Sequence, residues 1–226
     1  MVLVLTGGGS GKDTKEIDKY FALLVNKKKP LLYIPIAIDS IKHPYPECLK
    51  WLKQTFDKLG ISQYEMVTEE TISKYLDKTP NNYGGIYIGG GNTHYLLKNI
   101  KESGMIKFLN KAVEQDIPIY GGSAGAIIFG KTIKSSLKAD KNEVGIKDFN
   151  ALNKTNGWDI WCHYTAEDDK TINEFLSENK DIDKLIVLSE RNAIIVNQKE
   201  IEIIGQEPAL AISSTFRKTI TVGEKV

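Results

Sequence analysis

Apolar residues fall along this chain in two alternating rhythms. Short continuous runs are each followed by a stretch in which apolar positions recur every three or four residues. MVLVLT is the first run, and from Asp13 onward Ile17, Tyr20, Phe21, Leu24 and Val25 share one helical face. LLYIPIAI is the second, followed by a helix carrying Leu49, Trp51, Leu52, Phe56 and Leu59, with Gly60 placed to end it. YEMV is a weaker strand, trailed by a short helix through Ile72, Tyr75 and Leu76. GGIYIGG is a clear strand, and THYLLKNIKESGMIKFLNKAVEQ reads as two helices or as one broken near Gly104. IPIYGG then leads into a turn at Ser123.

Such alternation needs crossover connections. It predicts an α/β fold, a three-layer αβα sandwich with a mainly parallel sheet covered by helices on both faces. After Lys131 the rhythm loosens: residues 131–157 are polar and irregular, a loop region expected around a site. WDIWCHY reads as a strand ending at His163, and KTINEFLSEN as a short amphipathic helix. KLIVLSE, AIIVN, EIEII and ALAIS are short runs joined by turn residues, which predicts hairpins and an antiparallel edge at the C-terminal end. No repeat or linker interrupts the chain, so residues 1–226 are expected to form a single domain.

Composition narrows the function. At 226 residues, 41% of them hydrophobic and 26% charged, the chain can bury a core without a disulfide or metal staple. A net charge of +1, with 28 lysines and two arginines interspersed among acids, argues against nucleic acid or an acidic membrane as partner. No apolar run approaches the roughly 18 residues of a membrane span, and the first residues lack the marks of a leader. Cys48 and Cys162 are far apart and without metal-ligand spacing, which fits a reducing compartment, the cytoplasm by default. Neither a metal nor a cofactor is expected, and exposed edge strands leave the oligomeric state open.

Three glycine-rich turns follow strands, in LTGGGSGKDT, YIGGGNTHY and YGGSAGA. In a parallel sheet all three would meet at the carboxyl edge, where ligands bind. TGGGSGKDT fails as a phosphate loop, because Thr6 stands in place of the first glycine and Asp13 in place of the metal-binding hydroxyl. It reads as a plain turn in which Asp13 or Ser10 caps the next helix. GGSAG spells G-x-S-x-G, a strained strand-to-helix turn that can hold a serine nucleophile, and its neighbours are all Gly or Ala. The alternative is an ordinary serine helix cap. Among the three histidines, placement favours His163 as a base, then His94, then His43 in a proline-rich loop. For an orienting acid, Asp140, Glu143, Asp148, Asp159, Glu167, Asp168, Asp169 and Glu190 are all open, Glu190 standing at a strand end.

With YIGGGNTHYLL, YGGSAGA, CHYT and LSERNAIIV together, nearly the whole chain resembles the aspartyl dipeptidase (peptidase E) family of serine peptidases, within the class I glutamine amidotransferase-like fold. The resemblance implies a flavodoxin-like sheet and hydrolysis of a small peptide substrate through an acyl-enzyme. By the same resemblance Ser123 is the nucleophile, His163 the base and Glu190 the orienting acid. It implies an oxyanion hole from the backbone of Gly90 or Gly91 and of Ala124, and substrate binding by Asn92, Thr93 and Arg191. The family's aspartate specificity uses an arginine after the histidine, whereas HYTAEDDKTINEF is acidic and has none. Arg191 or Lys170 would have to take that part.

Overall fold

The structure is a computed structural model that describes residues 2–198 and 200–226; Met1, counted above in the first strand, lies outside the described residues. Five strands pair in parallel: β1 (Val2–Thr6), β2 (Leu31–Ile34), β3 (Tyr64–Met66), β4 (Gly85–Ile88) and β5 (Ile119–Gly122). A hairpin of β8 (Asn192–Asn197) and β9 (Glu200–Gly205) extends this sheet antiparallel beyond β1, giving the order β3-β2-β4-β5-β1-β8-β9. A second sheet, β11-β10-β7-β6, is built from β6 (Asp159–Trp161), β7 (Lys184–Val187), β10 (Ala209–Ser213) and β11 (Arg217–Ile220). Within it β6 and β7 are parallel and the other pairs antiparallel.

The apolar runs work because both faces of each central strand are covered. Leu3, Leu5, Leu32, Ile34, Ile86 and Ile88 point to one side, into a core shared with α3 (Thr93–Ser103), α4 (Met105–Glu114) and α5 (Ala124–Ile127). Val4, Tyr33, Tyr87 and Tyr120 point to the other, against Ile17 and Phe21 of α1 (Lys15–Leu24) and Leu52 and Phe56 of α2 (Tyr45–Phe56). The second sheet also alternates. Ile160 and Ile186 join the large core, while Trp161, Leu185 and Val187 pack under α6 (Asp169–Glu178) with Ile172 and Phe175.

Gly104, at φ 85°, ends α3 and starts α4, so the long periodic stretch is two helices. Three local expectations change. The predicted C-terminal edge divides, because β8 and β9 join the first sheet while β7, β10 and β11 build the second. The helix through Ile72 and Tyr75 is a single 3-10 turn. Neither Ser10 nor Asp13 caps α1, whose cap position is Thr14; the Thr14 hydroxyl instead donates to Asp18 Oδ2 at 2.8 Å.

Candidate active site

Ser123 stands between β5 and α5 at φ 51°, ψ −113°, a conformation that costs a residue with a side chain roughly 1–3 kcal/mol. Its hydroxyl makes no helix-capping bond. Two glycines of the surrounding turn, Gly121 and Gly125, tolerate no added atoms. A Cβ on Gly121 would lie 2.3 Å from the Gly125 carbonyl oxygen, and one on Gly125 would lie 2.3 Å from that of Ile88. The backbone is therefore jammed into place, and the Ser123 N–H donates to the Thr6 carbonyl at 3.1 Å.

The histidine and acid arrive from the second sheet. His163 follows β6 at φ 58°, and its N–H donates to the Gly7 carbonyl at 2.9 Å. Glu190 lies in the turn between β7 and β8. Ser123 Oγ is 2.7 Å from His163 Nε2, and His163 Nδ1 is 2.7 Å from Glu190 Oε1. Both side chains are about half exposed, at 51% and 50%, so this pairing adds little stability and acts chiefly on ring orientation.

The first glycine turn is the joint beneath them. A Cβ on Gly8 would lie 2.2 Å from His163 Cε1, one on Gly9 2.9 Å from Glu190 Cβ, and one on Gly7 2.2 Å from the Ser189 carbonyl oxygen. The sequence reads this segment as a plain turn at the ligand-binding edge of the sheet. The available signal was three successive glycines where one suffices for a bend. The second glycine turn approaches from the other side: a Cβ on Gly90 would lie 3.2 Å from Ser123 Cβ, and Gly91, at φ 136°, packs against the Ala37 carbonyl.

These turns border a cavity of about 460 Å³, within the size range of small-ligand sites. Its lining includes Ser123, His163 and Gly89 to Gly91, with Tyr33, Tyr87 and Tyr120 from the strands and His43, Glu47 and Trp51 from the segment entering α2. The other sequence candidates stand elsewhere. Asn92 caps α3, accepting from the Tyr95 N–H and donating to the Lys141 carbonyl. Thr93 is buried, with its N–H on Asp140. Arg191 is engaged by Glu207, Gln206 and Asp13. His94 is buried beside Phe149 with neither ring nitrogen hydrogen-bonded, and burial lowers its pKa. Asp148 pairs with Lys101, Asp168 caps its own turn, and Asp169 pairs with Arg217. The irregular 131–157 segment contributes nothing to the cavity lining. It runs past the start of α3, through Asp140 and Lys141.

Fold and site together combine a mainly parallel sheet with a strained serine turn at its carboxyl edge. The family model for Peptidase family S51 matches residues 3–204, and the chain belongs to that family of peptidases. It is 41% identical over 139 residues to Peptidase E of Haemophilus influenzae, an alignment covering 59% of this chain and 61% of that one. To Peptidase E of Pasteurella multocida it is 23% identical over 205 residues, covering 84% and 80%. The crystal structure of a peptidase from an acI-B1 Actinobacterium superposes with a TM-score of 0.74 at 16% identity, covering 100% of this chain and 96% of that one; this likeness concerns the fold alone.

Proposed function

We propose that the chain is a serine-type, dipeptidase-like hydrolase that cleaves a small peptide next to its N-terminus, with Ser123 as nucleophile, His163 as general base and Glu190 as orienting acid. The observation that carries this reading is the pair of 2.7 Å contacts from Ser123 Oγ to His163 and from His163 to Glu190. Glu190 accepts a hydrogen bond from His163 Nδ1–H, which leaves the Nε2 lone pair facing the serine hydroxyl. As Ser123 Oγ attacks the substrate carbonyl, its proton passes to Nε2, and the imidazolium formed is stabilised by Glu190. The same proton then goes to the leaving amine. Water, deprotonated by His163, releases the acyl group and restores Ser123.

Developing charge on the carbonyl oxygen falls to two backbone N–H groups, those of Ala124 and of Gly90 or Gly91. Ala124 opens α5, where the first amides have no carbonyl partner within the helix. Each such donor is worth about 3 kcal/mol of barrier. Both cysteines are free thiols, which supports a reducing, cytoplasmic setting. Amino-acid release from a dipeptide panel tests the reading. Wild type should turn over at least one member, with Ser123→Ala and His163→Ala both inactive; activity surviving in Ser123→Ala would overturn it.

A further inference from the structure

A second hollow opens beside the catalytic cavity, a groove of about 410 Å³ between α1 and α2. Its walls follow helical spacing. Lys15, Asp18 and Lys19 come from α1, and Trp51 and Thr55 from α2, with Lys58 in the 3-10 turn Asp57–Leu59 that continues it. Its head is the end of the first glycine turn, Ser10 and Gly11. Two features join it to the catalytic cavity. Trp51, partly exposed and edge-on to Tyr87 at 6.3 Å, lines both hollows. Gly8 and Gly9 line the catalytic cavity and the next two residues line the groove, so the two hollows are one residue apart along this turn, about 3.8 Å between Cα atoms. The turn is held from behind, where Gln206 Nε2 donates to the carbonyls of Lys12 and Asp13.

The groove is cationic. Among the described residues neither Lys15 nor Lys58 makes an ion pair, and Lys19 meets Glu16 at 3.0 Å on an exposed stretch of α1, where such a pair is weak. The one carboxyl in the lining, Asp18, is buried with both oxygens engaged by hydroxyls: Oδ2 accepts from Thr14 at 2.8 Å and Oδ1 from Tyr120 at 3.1 Å. Three lysines thus outnumber it in one hollow, and charges of one sign gathered in a cleft reinforce one another. The ring of His163, which hands its proton to the leaving amine, lies directly over Gly8, on the turn that runs on to Ser10 and the lysines.

We propose that this groove is an anion subsite for the leaving half of the substrate. It takes a carboxylate on the C-terminal side of the scissile bond through Lys15, Lys19 and Lys58, while Trp51 supports the chain between the two hollows. This rests on the peptidase reading of the neighbouring cavity. The carboxylate is the terminus of a dipeptide or an acidic side chain one residue further on, and the probes separate the two. Isotope-labelled Ser123→Ala protein is titrated by NMR with Asp-Ala, Asp-Ala amide and Asp-Ala-Glu amide, the first residue held constant so that its own contribution cancels. At least one probe bearing a downstream carboxylate should bind about fivefold or more tighter than Asp-Ala amide and move the Ser10, Gly11 and Lys15 amide resonances. A gain by Asp-Ala identifies the terminus, and a gain by Asp-Ala-Glu amide alone the side chain. Adding Lys15→Gln and Lys58→Gln, both at exposed positions, should cut the advantage to about twofold or less. Equal binding of all three probes, an advantage that survives the two substitutions, or no binding of any probe would each overturn the proposal. Failure of the catalytic reading shows separately, as wild-type hydrolysis that is absent or that survives Ser123→Ala, and leaves the binding order to be judged alone.

Discussion

Ser123 belongs to the seven-stranded sheet, His163 to the end of a strand of the small one and Glu190 to the turn that joins the two sheets, and the serine and histidine arms are held by different physics. On the serine side the restraint is steric, with glycine backbones so close to neighbouring carbonyls that the elbow has one position. On the histidine side it is a lattice of single hydrogen bonds over a glycine bed: His163 N–H to Gly7, Tyr164 N–H to Leu188, and the ring against Gly8. The lesson is that Ser123 is fixed by packing and His163 by a joint. The first should answer to mutation through stability, the second through turnover.

The contrast can be broken at several points. Removing chemistry outright has the largest effect: Ser123→Ala or His163→Ala should lower kcat by about 10⁴–10⁶-fold, read in a dipeptide assay. Glu190→Gln should cost less, about 10²-fold, because the half-exposed acid orients the ring and supports its charge but exchanges no atom with the substrate. Gly8→Ala sharpens the comparison. The new methyl must push the His163 ring aside, so kcat should fall about 10²-fold, beyond the roughly 1–3 kcal/mol of stability that a side chain at φ 119° itself costs. Gly125→Ala should destabilise by about 1–3 kcal/mol in urea unfolding, since its methyl meets the Ile88 carbonyl and the turn holding Ser123 must shift to admit it.

The smallest expected effect concerns Asp159, at the start of the strand that leads to His163. Its Oδ1 accepts from the Thr132 N–H and hydroxyl, its buried Oδ2 has no partner, and burial raises its pKa from 3.8 to about 6. A carboxyl raised on folding contributes stability that is fully present below pH 4 and lost as pH rises through 6. Relative to wild type, Asp159→Asn should therefore gain stability between pH 4 and pH 6 and then level off, as measured by urea midpoints across that range.

Much of the fold was legible because its strands are buried on both faces, so each is an unbroken apolar run, and because Gly60 and Gly104 end helices where a positive φ is needed. The Ser123 turn was legible because Gly121 and Gly125 stand where a Cβ would meet a backbone carbonyl. What escaped depends on pairing across distance. Nothing local in KLIVLSE or ALAIS says which sheet receives it, and Arg217–Ile220 is too short and charged to read as a strand. Nothing in the sequence lines up Tyr33, Tyr87 and Tyr120, because register is a property of neighbouring strands. His43 ranked last as a base, yet it lines the cavity, whereas His94, ranked above it, is sealed in the core.

The most direct test of the central claim, a serine activated by a histidine from the other sheet, is to treat wild type and His163→Ala with a fluorophosphonate and map the adduct by peptide mass. One phosphonylated residue, Ser123, is predicted in wild type, with labelling at least about 10³-fold slower in His163→Ala. An unlabelled Ser123 in protein that hydrolyses dipeptides, or equal labelling of the two proteins, would contradict it.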